Sequence, residues 1–154
     1  MLLVLGVSAV VAQEPRFLNP SDMPPSKGYT QVVEVPAGHR LLFLSGQVPL
    51  DSAGELRVGR DFRGQATQVF ENLRAGLRAA GADFENVVKL NFYLRDVRNL
   101  PALREVRDRY VNPAAPPAST LVEVSRLFRD EVLLEVEAVA AVRDRRRGSG
   151  GGDR

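Results

Sequence analysis

The chain has 154 residues, 44% hydrophobic and 26% charged, a balance that fits one folded domain and excludes a disordered chain. With no cysteine and a single histidine, His39, it has no disulfide, thiolate nucleophile or cysteine metal site, and most zinc or triad chemistry is removed. The formal net charge is +2, and the basic residues Arg143, Arg145, Arg146 and Arg147 crowd near the C-terminus, which makes nucleic acid an unfavoured partner.

Residues 1–12 read MLLVLGVSAVVA, an apolar run that ends in small residues and lacks a basic lead-in. Two readings stay open. It is either the core of a signal peptide, which would make the mature protein periplasmic or secreted, or an ordinary apolar segment of a cytoplasmic protein. The run is too short to span a bilayer, so no membrane association is expected after any signal removal. Residues 13–27 contain Pro15, Pro20, Pro24 and Pro25 and read as an extended lead-in without regular structure. The domain proper is expected over residues 28–142, and the basic, Gly-rich end over 143–154 is expected to be disordered.

Within the domain, residues 30–35 and 40–45 read as strands joined through Pro36-Ala37-Gly38-His39, a hairpin. A short extended piece is expected around residues 56–58. Asp61 then caps a helix whose apolar stripe is Phe62, Ala66, Val69, Phe70, Leu73 and Leu77, stopped by Gly81. Residues 87–95 alternate, with Val88, Leu90, Phe92 and Leu94 pointing one way. A second helix opens at Asn99 and Pro101 and carries Leu100, Leu103, Val106 and Tyr110. Two last strands, 119–127 and 132–142, flank a polar turn. The expected class is therefore α+β, a single ββαβαββ domain with both helices on one face of the sheet.

Two helices cover only one face. The other is expected to carry Lys89, Asn91 and Tyr93, then Ser119, Leu121 and Glu123, then Leu133, Glu135, Glu137 and Val139. That mixture suits a sheet that meets copies of itself around wet, polar-lined clefts. An ordinary solvated sheet face is the plain alternative.

Several segments point further when taken in order. They are Gly28-Tyr29-Thr30-Gln31, Leu44-Ser45-Gly46-Gln47-Val48-Pro49-Leu50, Gln65 with Glu71-Asn72-Leu73, and Val87-Val88-Lys89 with Asp96. Pro117-Ala118-Ser119-Thr120-Leu121-Val122-Glu123-Val124 and Glu135-Val136-Glu137-Ala138 complete the set. This ordered set resembles the Rid (YjgF-like) family over about residues 28–142. The resemblance implies a chorismate-mutase-like fold with a mixed sheet, a homotrimer, and ligand pockets at the subunit interfaces. It also implies hydrolysis of reactive 2-imino acids or their enamine tautomers to a 2-oxo acid and ammonia. By motif position the pocket would use Tyr29, Gly46, Ser119 and Leu121 to hold a small-molecule ligand and Glu137 to manage the attacking water. Neither a cofactor nor a metal is expected.

At one position the chain departs from the pattern. Active imine deaminases of the family carry an arginine immediately before the Thr120 position, where it forks onto the substrate carboxylate. Here the residue is Ser119, a single neutral hydroxyl that cannot replace paired charged donors. The expected substrate is thus an imine without the usual carboxylate anchor. A ligand-binding trimer without turnover and a nucleic-acid binder acting through Arg143 to Arg147 are the other classes carried forward. Plainer readings of single residues are a Glu137 paired with Lys89 or an arginine, a Tyr29 that only packs, a His39 exposed in its turn, and an Arg104 on a solvated face with Arg107, Asp108 and Arg109.

Overall fold

The computed structural model describes residues 13–144. The apolar run 1–12 and the residues from 145 onward, with Arg145, Arg146 and Arg147, lie outside the described part. The elements are β1 (Arg16–Leu18), β2 (Val32–Glu34), β3 (His39–Gln47), α1 (Phe62–Ala79), β4 (Val87–Leu94), α2 (Leu100–Arg107), β5 (Ala118–Glu123) and β6 (Leu134–Arg143). Short 3-10 turns precede β4 and α2. From β2 onward the order is the expected ββαβαββ. No helix among the described residues is long and apolar enough to cross a membrane.

The longest helix follows from its ends and its stripe. The Asp61 carboxylate accepts from the amides of Arg63 and Gly64, satisfying two of the free donors of the first turn. Gly81 adopts φ 69°. Its amide donates to the Arg78 carbonyl and that of Ala82 to the Leu77 carbonyl, a Schellman stop that only a left-handed residue permits. All six predicted stripe residues of α1 are buried. Phe70 stacks on Tyr110 at 4.9 Å, and Phe84 closes the cluster. Burial pushes the Tyr110 hydroxyl up to about 12, helped by its hydrogen bond to Glu71.

The main sheet has the order β3-β6-β4-β5, with β4 and β5 parallel and the other pairs antiparallel. The core between this sheet and the helices takes Leu90, Phe92 and Leu94 from β4 and Leu134, Val136 and Ala138 from β6.

The structure corrects three strand expectations. The hairpin between residues 30–35 and 40–45 does not form. Instead β2 pairs with β1, and β3 pairs with β6. The reason is length, because β3 has nine residues and β6 ten, whereas a three-residue β2 would leave most of β3 without ladder partners. The lead-in is likewise not wholly irregular, since it supplies β1, tied to β2 by the ion pair of Arg16 with Glu34. The expected extended piece at residues 56–58 is loop and turn.

The fourth correction bears on function. Leu90 stands opposite Ser119, Phe92 opposite Leu121 and Leu94 opposite Glu123. Facing residues point to the same side of a sheet, so Ser119, Leu121 and Glu123 lie on the helix-covered side and not on the uncovered one. Thr120 and Val122 take the uncovered side. A one-residue offset is enough to invert a strand.

Candidate functional site

The residues expected to share a pocket fall into two groups, one on the helix side of the edge strand β5 and one on the uncovered face around β3 and β6. Tyr29, Ser119 and Leu121 come together around a cavity of about 380 Å³ beside β5. Two contacts bring Tyr29 there. The Thr30 amide donates to the Pro117 carbonyl at 3.2 Å, and its hydroxyl donates to the Pro116 carbonyl at 2.6 Å. These bonds lay the segment along the start of β5. Phe92, Leu103 and Leu121 give the cavity apolar walls, while Lys27, Arg104 and Arg107 also line it. It holds no carboxylate.

Gly46 lies on the other edge strand, β3, and the acidic pair on its interior neighbour, β6. A bulge interrupts the ladder of β3 with β6 between Leu44 and Gln47 and lowers Gly46 onto Glu135. As the Glu135 side chain lies, a Cβ at position 46 would overlap its carboxylate, so a larger residue there requires that carboxylate to turn away. Past the bulge, the Asn72 side chain holds the loop by donating to the carbonyls of Val48 and Leu50, both at 2.9 Å.

Glu135 and Glu137 are two residues apart on β6 and so share the uncovered face. Their surroundings differ. The Tyr93 hydroxyl donates to Glu137 Oε2 at 3.0 Å, and Asn91 Nδ2 donates to the same oxygen at 3.2 Å. Lys89 is engaged elsewhere, donating to the Thr120 hydroxyl at 2.7 Å, so the ion pair of Glu137 with Lys89 does not form. Glu135 has no such donors. Burial, followed by the charge of Glu137, raises its pKa above the ordinary carboxylate value of 4.5. The upward shift expected of a catalytic carboxylate is therefore found at Glu135. The same arrangement raises the Tyr93 pKa, chiefly through its hydrogen bond to Glu137.

The comparisons with known proteins bear on this arrangement. The family model described as Endoribonuclease L-PSP matches residues 20–142, well over half of the chain. The chain belongs to the Rid (YjgF-like) family. Protein DfrA of Myxococcus xanthus is 44% identical over 112 residues, covering 73% of this chain and 83% of that protein. A relative from Dermatophagoides farinae named 2-iminobutanoate/2-iminopropanoate deaminase is 30% identical over 114 residues, covering 74% of this chain and 85% of its own length. Among solved structures, the Rid-family protein YyfB of Yersinia pestis matches with a TM-score of 0.77 at 35% identity, over 84% of this chain and all of that one.

Glu135 and Arg107 of this Rid chain were not singled out as site residues by the sequence, and Arg104, a candidate to reach the pocket from the second helix, had the solvated face as its plainer reading. Glu135 was invisible as a distinct candidate because period-two alternation gives it the same face as Glu137, and only the bulge sets it under Gly46. Arg104 and Arg107 share a helical face with Leu100 and Leu103, and that spacing was available. What the spacing lacked was the register of β5, which turns Ser119 and Leu121 toward the same cavity. Arg104 is exposed, as expected, but it lines this cavity. His39 stays at the start of β3, its ring within 3.1 Å of the Pro36 carbonyl, remote in sequence and strand position from both groups. Among the described residues, no group of three His, Asp or Glu side chains converges as a metal site would require.

Proposed function

We propose that the chain assembles as a homotrimer in which the acidic uncovered face of one subunit meets the β5 cavity of the next, and that each resulting cleft hydrolyses a reactive imine or enamine. The observation that carries this reading is the separation within one chain. Tyr29, Ser119 and Leu121 line a cavity without an acid on the helix side of the edge strand β5, while Glu135 is a partly buried acid on the uncovered face of the interior strand β6. A second copy would bring the two together. Exposed Leu41, Phe43 and Val122 on the uncovered face supply the apolar surface that such an interface would bury.

The chemistry asks for little. Water adds through oxygen to the imine carbon, and Glu135 takes a proton from that water as the C–O bond forms. That proton passes to nitrogen to give a carbinolamine, whose hydroxyl proton then moves to nitrogen as the C–N bond breaks and the C=O bond forms, so that a carbonyl compound and ammonia leave. A carboxylate whose pKa is raised toward neutrality is suited to both halves of this transfer. Glu137, already held by Tyr93 and Asn91, sustains that raised value from its neighbouring position on β6. The deaminase name of the mite relative supports the reaction class.

Ammonia release from freshly generated 2-iminobutanoate tests the proposal, with Glu135→Gln expected to lower the rate by about 10²- to 10⁴-fold. An unchanged rate in the folded variant would move water activation to another group. Binding of metabolites without ammonia release from any imine would favour the ligand-binding reading, and a monomer at working concentration would remove the cleft altogether.

A further inference from the structure

Thr30 and Gln65 are the buried polar side chains among the described residues, and Gln65, at 0% exposure, sits within the apolar stripe of α1. An amide held out of water is costly unless its donors and acceptor are used. Here both amide hydrogens and the oxygen are engaged. Nε2 donates to the Gly59 carbonyl and, at 2.8 Å, to the Glu131 carbonyl, while Oε1 accepts from the Leu133 amide at 2.8 Å. These partners fix which way the amide faces, since a carbonyl only accepts and a backbone N–H only donates. One side chain thus ties the loop before α1 to the stretch that leads into β6.

That stretch needs the tie. The ladder of β3 with β6 ends at Gln47 opposite Val136, so Leu134 and Glu135 have a ladder partner on one side only, from β4. Glu135 therefore stands at the end of β6 that is free to fray. Two residues before it, the Leu133 carbonyl accepts from the Arg95 amide while the Leu133 N–H goes to Gln65, so the root of the strand is clasped from the sheet and from the helix. We infer that Gln65 is the positioning residue for Glu135, holding the root of β6 from inside the core so that the carboxylate keeps its seat beneath Gly46. This inference rests on the proposed hydrolysis. It places the effect on turnover and not on substrate binding, because Gln65 does not line the β5 cavity.

The test is carbon-13 NMR titration of Glu135 in the assembled full-length protein, alongside ammonia release from 2-iminobutanoate. Gln65→Met keeps the volume and removes all three bonds. In it the Glu135 carboxyl should titrate closer to the ordinary 4.5 as it leaves its seat for water, and the acid limb of the pH profile of kcat should move down with it. At pH 7, kcat should fall by about 10- to 100-fold, as for a reacting group displaced by about 1 Å, with KM within about twofold of wild type. Leu77→Ala, a buried loss about three turns along α1, should lower stability comparably yet leave the titration and the profile in place. A Gln65→Met protein that is less stable but keeps both at their wild-type positions overturns the inference. If Gln65→Met does not fold, hydrogen exchange of wild type decides. The Leu133 amide should then exchange as slowly as that of Val136, and exchange about 100-fold faster overturns the clasp. With the inference overturned, loss of ammonia release in Glu135→Gln would leave imine hydrolysis standing. A shifted titration in Gln65→Met with no ammonia from wild type would keep the positioning and reject the hydrolysis.

Discussion

The two faces of the four-stranded sheet are made by the same strands yet serve different ends. On the helix side, Leu90, Phe92, Leu94, Leu134 and Val136 are at most 2% exposed, and the acid that β5 sends to that side, Glu123, stands at the strand's end, accepting from the Val97 amide. On the other side, Phe43 is 77% exposed, Leu41 48% and Val122 41%, with Glu135, Glu137, Asn91 and Tyr93 set among them. Strand β6 shows the division most sharply, since its sequence Leu-Glu-Val-Glu-Ala-Val-Ala sends the apolar residues at alternate positions inward and both acids outward. One face holds the fold and the other is reserved for what meets the fold. Damage to each should therefore register in a different measurement.

The largest effect is expected on the covered side. Phe70→Ala removes a ring that is fully buried against Tyr110 and Phe84 and should cost about 3 to 5 kcal/mol in chemical denaturation. Phe43→Asp is the opposite probe. Within one chain the ring is mostly in water, so folding of the subunit should change by less than about 1 kcal/mol. Association should weaken by about 2 kcal/mol or more, as for a central apolar anchor, and sedimentation would show smaller particles at equal concentration. A Phe43→Asp variant that keeps its assembly would place the interface elsewhere and merge the roles of the two faces.

The smallest effect sharpens the division further. Glu135 has a raised folded-state pKa, so the folded chain holds that proton to higher pH than the unfolded chain does. Its favourable contribution is present below the unfolded value and is lost as pH rises through the folded one. Glu135→Gln has no charge to place there. The variant should therefore be more stable than wild type at about pH 7, by less than about 1 kcal/mol given the partial exposure of the group. The difference should close as pH falls below about 4.5. A variant less stable than wild type at neutral pH would mean that the carboxylate is well satisfied where it stands.

Much of this architecture was legible in the sequence. The stripe of α1, the caps at Asp61 and Gly81, and the alternation of β4 from Leu90 and of β6 each obey a strong period and stand; a register shift at Val88 puts Val87 in the core in its place, and Tyr110 packs from beyond the end of α2. Weak patterns misled. Ala-Ser-Thr-Leu-Val-Glu in β5 has no clear wet and dry sides, so its orientation is decided by the parallel ladder with β4, a contact between elements with a helix between them in the chain. The pairing of β1 with β2 was hidden for a similar reason, since three residues between prolines and polar loops carry too little pattern to announce a strand. The site followed suit. Tyr29, Ser119 and Leu121 do gather, but their partner acid and their cationic wall depend on a bulge and on a register, neither of which has a local signature.

The seat of Gly46 on Glu135 also constrains how this sequence can change. As the side chains stand there is no room for one more carbon between them, so Gly46→Ala must turn the Glu135 carboxylate out of its present seat, and pairing it with Glu135→Asp should soften the change. Joint variation of the two positions therefore gives access to pairs in which the acid is shorter and sits differently on the uncovered face.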